Sequence, residues 1–177
     1  MKYTPTKIPG VIVVDVEPQT DVRGTFARTW DVTETKQHGC PITIVQTNTS
    51  FNFKEGTLRG MHYQTEPHKE AKIVRCTAGA IYDVALDLRV DSPTYKEWVA
   101  VELSADNRTA LFVPEGCAHG FQTLRDNTEV LYLMGAMYDA DSARGVRWDD
   151  SAFQIAWPST ALRVMSEKDR SYPDWDL

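Results

Sequence analysis

A chain of 177 residues is long enough to bury one full hydrophobic core and short for two ordinary domains, so residues 1–177 are read as a single domain. Apolar residues make up 42% and charged residues 25%, ordinary globular usage that argues against disorder; no apolar run reaches membrane-span length, and residues 1–9 lack a signal-peptide core, so the expected location is cytoplasmic. A net charge of −6 with no basic run argues against a nucleic acid partner, while a few placed Arg and Lys still suffice for one phosphate pair.

Residues 10–16 form a β-branched run, read as a strand that Pro18 and Asp21 end. Residues 11–14 are apolar on both faces, and an open edge of that kind invites association, so a homodimer burying this strand is expected. A turn at 21–24 leads to a second strand over 25–30. Residues 31–39 hold a helix, with Thr33 placed to cap it and Gly39 and Pro41 to stop it. The three cysteines, Cys40, Cys76 and Cys117, are odd in number and lack CxxC spacing, which fits reduced, packed thiols better than a disulfide framework or zinc knuckle.

Residues 42–53 read as a strand with Ile44, Gln46, Asn48 and Ser50 on one face, either a solvated edge or the lining of a pocket. The next strand contains Leu58-Arg59-Gly60-Met61-His62-Tyr63-Gln64. Alternation places Leu58, Gly60, His62 and Gln64 on one face and Arg59, Met61 and Tyr63 on the other. Gly60 leaves space beside His62, as where a ligand approaches closely. Taken alone, His62 reads equally as a core histidine satisfied by a neighbour.

Further strands are expected over 72–76, 80–88, 97–103, 109–113, 119–123 and 129–137, with turn residues between them. Short strands recurring every ~8–12 residues indicate a sandwich, jelly roll or barrel. The tail from 151, with Trp157-Pro158, Tyr172 and Trp175, is expected as short helix or loop packed on the barrel.

Pro114-Glu115-Gly116-Cys117-Ala118-His119 resembles the second motif of cupins, P-x-G-x-x-H, in which a turn delivers a histidine into the mouth of a small barrel. The fold expected is therefore all-β, a cupin-type jelly roll (double-stranded β-barrel) with short peripheral helices. Metal-binding cupins usually add His-x-His and a Glu, whereas Tyr63-Gln64 follow His62 here, so the resemblance is to the cupin shape without a metal site.

Nearly end to end the chain also resembles the dTDP-4-dehydrorhamnose 3,5-epimerase family. The marks are Asp21-x-Arg23-Gly24-x-Phe26, Gln46-x-Asn48-x-Ser50, the Leu58 to Gln64 stretch, Lys72-Ile73-Val74, the Asp83 to Arg89 stretch, Ser92-Pro93-Thr94, the Pro114 to Phe121 stretch, Tyr132, Trp157-Pro158 and Ser166-Glu167-Lys168-Asp169. The resemblance implies a cofactor-independent, homodimeric cupin that inverts carbons beside the ketone of a nucleotide-linked 4-keto-6-deoxyhexose, the dTDP sugar being the expected partner.

A proton beside a ketone is weakly acidic, so its removal needs a base near the working pH and a group to hold the enolate charge. His62 suits the first need. The resemblance implies Asp169 as the carboxylate orienting that imidazole, Lys72 as the cation at the C4 oxygen, and Tyr132 as the acid on the opposite face. Without it, Lys72 reads as a solvated surface lysine and Tyr132 as an ordinary buried tyrosine. It also implies Arg59 and His119 as diphosphate or sugar contacts, with Arg23, Phe26, Gln46, Asn48, Tyr138 and Lys168 lining the rest, the Arg23 to Phe26 strand reaching into the partner subunit. Three positions depart from the family, which usually carries Glu at Arg28, Glu at Ala143 and Lys at Leu133. Open alternatives are an enzyme inverting C3 or C5 only, a metal-dependent cupin using His62 and His119, and a sugar-binding module without turnover.

Overall fold

The computed structural model describes residues 1–175. In chain order its elements are β1 (Lys2–Pro5), β2 (Ile12–Asp15), β3 (Gln19–Asp21), β4 (Gly24–Phe26), α1 (Val32–Gln37), β5 (Gln46–Asn52), β6 (Leu58–Gln64), β7 (Lys72–Ala78), β8 (Ala80–Asp87), β9 (Trp98–Ser104), β10 (Ala110–Val113), β11 (Cys117–Thr123), β12 (Thr128–Met134), β13 (Ala143–Gly145) and α2 (Glu167–Arg170). One sheet has the order β1-β2-β10-β7-β12-β5 and the other β13-β6-β11-β8-β9. From β5 onward the chain alternates between the two sheets, interrupted once by the β8–β9 hairpin, and this is the winding of a jelly roll.

Three apolar layers follow from strands that carry apolar residues on both faces. Val74, Leu111, Val113 and Val130 of the first sheet meet Ile81, Ala85, Leu103 and Phe121 of the second in the central core. The outer face of the first sheet, with Ile12, Val14, Ile73 and Phe112, is covered by Cys40 and Ile42 and by the partly buried Trp30. On the outer face of the second sheet, Met61, Val84, Leu86 and Ala118 lie under Val146 and Phe153 of the C-terminal segment. This central core fills one end of the roll, and the other end is left open.

Several expectations are corrected. β1 was not legible, because its four residues form a strand only by pairing with β2. That pairing also removes the proposed dimer surface: β2 lies between β1 and β10, with Val11 in the central core and Ile12 and Val14 beneath residues 40–42. The strand expected over 25–30 ends at Phe26, and β4 pairs only with β3 in a two-stranded ribbon outside both sheets. Asp31, not Thr33, caps α1; its carboxylate accepts from the Thr33 and Glu34 amides at 3.0 and 2.9 Å. Residues 42–45 stay irregular, and the strand begins at Gln46.

Candidate active site

A cavity of about 700 Å³ occupies the open end between the sheets. Alternation along each strand determines what enters it. In β5, Gln46, Asn48 and Ser50 face inward opposite Met134, Tyr132 and Val130 of β12, so the polar face lines a pocket and is not a solvated edge. In β7, Lys72 shares the inner face with Val74 and Cys76.

β6 breaks its alternation. His62 pairs with His119 of β11 while Arg59 pairs with Phe121, three residues on one strand against two on the other. This bulge turns both Arg59 and His62 into the cavity, where simple alternation had set them on opposite faces. Gly60 permits it, since a Cβ there would lie 2.5 Å from the Gly120 Cα. What approaches Gly60 closely is thus the β11 backbone and not a ligand.

His62 Nε2 lies 2.8 Å from Asp169 Oδ1. Asp169 comes from α2, a single turn capped by the Ser166 hydroxyl, which accepts from the Asp169 amide at 3.1 Å. Its other carboxylate oxygen accepts from the Gly60 amide at 3.3 Å. The tail reaches this position because Val164 bridges to Thr57, with the Leu58 amide donating to the Val164 carbonyl at 2.8 Å. Burial pushes the Asp169 carboxyl up, but the hydrogen bonds and charge from His62, Gly60 and Ser166 outweigh it and hold the group below the usual carboxylate range. An ionised carboxylate only accepts, so Nε2 carries the proton and Nδ1 is the basic atom of neutral His62.

The facing sheet supplies two further groups. Lys72 is 4% exposed, so it is no solvated surface lysine; its Nζ donates to Glu70 Oε1 at 2.6 Å, and both side chains line the cavity. The Tyr132 hydroxyl lies 3.2 Å from Ser50 Oγ. Burial pushes the Tyr132 phenol well up, with the Ser50 hydrogen bond opposing, so at neutral pH it holds its proton. His119 is buried and its Nε2 lies 2.7 Å from Asp83 Oδ1. Burial pushes the Asp83 carboxyl up, with His119 and Lys72 opposing. Arg59 donates from Nε to Asn52 at 2.7 Å, which fixes the guanidinium at the cavity wall.

Although the chain is acidic, the cavity is lined by Arg59, Lys72, Arg144 and Lys168 against the carboxylates Glu70 and Asp169. An excess of cations in a concave site suits an anionic ligand. Arg144, Glu70 and Tyr172 were missed from the sequence. Glu70 and Lys72 are two apart, the strand signal for a shared face, whereas Arg144 and Tyr172 lie in segments with no period. Tyr172 stands edge-on to His62, ring centroids 6.3 Å apart, against Gly145 of β13.

Comparison with known proteins decides the family. The model for "dTDP-4-dehydrorhamnose 3,5-epimerase" matches residues 5–176. This chain belongs to the dTDP-4-dehydrorhamnose 3,5-epimerase family. It is similar to the enzyme of that name from Sinorhizobium fredii, 46% identical over 86% of this chain and 78% of that protein. A solved dTDP-4-dehydrorhamnose 3,5-epimerase from Bacillus anthracis, with TDP and PPi bound, superposes with a TM-score of 0.94 at 39% identity, covering 98% of this chain and 99% of that one. The dTDP-4-dehydrorhamnose 3-epimerase of Streptomyces niveus is 35% identical over 96% of this chain and 82% of that protein.

Of the twelve residues expected at the epimerase site, Gln46, Asn48, Arg59, His62, Lys72, His119, Tyr132, Tyr138, Lys168 and Asp169 line this one cavity. Arg23 and Phe26 do not. Arg23 pairs with Asp21 at 2.6 Å, and Phe26 is 77% exposed on the β3–β4 ribbon. Of the three departures from the family, Ala143 alone lines the cavity. Arg28 pairs with Asp31 at 3.4 Å, and Leu133 packs in the outer cluster of the first sheet.

Proposed function

We propose that this family member inverts C3 and C5 of dTDP-4-keto-6-deoxyglucose, with His62 as base, Lys72 holding the enolate and Tyr132 as acid. One observation carries the reading: the His62–Asp169 pair projects from one sheet, and Lys72 and Tyr132 project from the facing sheet into the same cavity.

Each inversion follows from that placement. Nδ1 of His62 takes the proton beside the ketone, and the Asp169 carboxylate stabilises the imidazolium that forms. The electron pair moves into the C4 carbonyl, where the Lys72 ammonium meets the developing oxyanion. Tyr132, protonated and on the other wall, returns a proton from the opposite face, so the centre inverts. The ketone is the electron sink, and the reaction needs no cofactor.

At the nucleotide end, Arg59, Arg144 and Lys168 supply charge for the diphosphate and Tyr138 an aromatic face for the base. The reading includes a homodimer in which a second copy presents Arg23 and Phe26. It is supported by the resemblance and by a ribbon on which Val22 and Phe26 are both exposed. A cytoplasmic location and a single domain over residues 1–177 complete the proposal.

Incubation with dTDP-4-keto-6-deoxyglucose in deuterated water, followed by NMR, tests the reaction. Deuterium at C3 and C5 with both centres inverted is expected. Exchange at one centre only would make the protein a single-centre epimerase, as the Streptomyces niveus relative is named. No exchange at either carbon would overturn the reading.

A further inference from the structure

We propose that Glu70 is a positioning residue for catalysis, the hydrogen-bond acceptor that aims Lys72 at the developing enolate; this rests on the role of Lys72 given above. Glu70 lies in the loop before β7, and its carboxylate is buried in the cavity wall 2.6 Å from Lys72 Nζ. A lysine ammonium ends a four-carbon stem with free rotors, so by itself it does not present a fixed donor. Among the described residues Glu70 is the side chain to which Nζ donates. One of three N–H donors is thereby anchored, and the other two are left for the oxyanion.

Position, not charge, is what Glu70 supplies. Lys72 already has a second carboxylate acting on it, since its charge opposes the burial of Asp83 from the facing sheet. Asp83 gives its own hydrogen bond to the His119 pair and not to Nζ. The counter-charge is therefore duplicated, while the anchoring acceptor is not. A neutral acceptor of the same reach should replace Glu70, and a charged one of shorter reach should not.

Three substitutions separate these possibilities, read as kcat and KM for dTDP-4-keto-6-deoxyglucose and as the rate of deuterium entry from solvent. Glu70→Gln keeps an acceptor oxygen in place and should hold kcat within about threefold, whereas Glu70→Asp, which withdraws the carboxylate by one methylene, should lower kcat and exchange by at least about tenfold. Glu70→Met, of similar length with no acceptor oxygen, should fall further, by ~30- to 100-fold. KM should move less than kcat in all three, because the nucleotide contacts are untouched. In a Lys72→Met background, Glu70→Asp should cause no additional loss.

A slower Gln than Asp variant would overturn the proposal in favour of a charge role, and wild-type kcat in both Asp and Met variants would overturn it outright. A fall in melting temperature with unchanged kcat in the folded protein would reduce Glu70 to a structural residue. If Lys72→Met itself turns over at the wild-type rate, the reading of Lys72 fails, a result distinct from any outcome at Glu70. Should the Met variant not fold, the Gln and Asp pair still decides.

Discussion

His62 Nε2 and the Asp169 carboxylate, 107 residues apart in the chain, meet at 2.8 Å. The bond fixes which imidazole nitrogen is basic, and the Gly60 amide and Ser166 hydroxyl hold the carboxylate side of it. Asp169→Asn should therefore keep the fold and lower kcat by at least about 100-fold, since an amide can favour the wrong tautomer and does not stabilise an imidazolium. Steady-state kinetics with circular dichroism of the variant checks this. Wild-type turnover would dissolve the proposed pair.

Tyr132 and His62 come from opposite sheets, and that placement makes exchange and inversion separable. Tyr132→Phe leaves base and cation in place, so deuterium should enter the sugar mostly on its original face, without net inversion. His62→Asn should abolish both. The Phe substitution leaves Ser50 without its hydroxyl partner, a stability cost of about 1 kcal/mol. NMR of the recovered sugar distinguishes the outcomes, and inversion at the wild-type rate would remove Tyr132 as the acid.

Activity should survive chelation. Both cavity histidines are engaged by carboxylates through Nε2, and no group of three His, Cys, Asp or Glu is placed to hold a metal among the described residues. Full turnover in excess EDTA is the expected result. Loss of activity restored by one added metal ion would favour the metal-dependent alternative.

The exposed ribbon makes a prediction about assembly. If a second copy uses Phe26, then Phe26→Ala should raise KM more than it lowers kcat, because the residue lies outside the chain's own cavity. Light scattering at micromolar concentration should give a dimer. A monomer with wild-type KM would remove the ribbon from the site.

Asp87 sets an acid dependence of stability. Burial pushes its carboxyl up, but hydrogen bonds from Arg89, Ser92 and Thr94 win and bring it to about 2 from an ordinary 3.8. A depressed carboxyl contributes stability that is present above its unfolded value and lost as pH falls through its folded value. Asp87→Asn should thus cost about 2 kcal/mol at pH 7, a penalty that shrinks as pH falls from about 4 towards about 2. Denaturant melts of both proteins across that range measure it, and a pH-independent difference would contradict the assignment.

Most of the strands were legible in the sequence, because period-two burial and turn residues are local signals. β5 shows this most directly: Gln46, Asn48 and Ser50 were expected on one face, and they share it in the cavity wall. The family was legible too, since its motifs are contiguous or nearly so. β1 and the cap of α1 were not. A four-residue strand exists only through its partner, and the choice between Asp31 and Thr33 depends on where the helix axis starts.

By itself, then, the sequence determined the strand set, the residues able to do acid–base chemistry and the family to which they belong. Tertiary structure alone decided how they converge. The bulge at Gly60 and Met61 reverses the facing of Arg59, because β6 passes too close to Gly120 for any side chain at Gly60. Lys72 changes from a surface cation into a buried one, because Glu70 and the facing sheet enclose it. The apolar strand over 11–14, which read as a dimer surface, is covered by β1 and residues 40–42 within the same chain. In each case the deciding contact joins segments distant in sequence, and local periodicity carries no information about which segments meet.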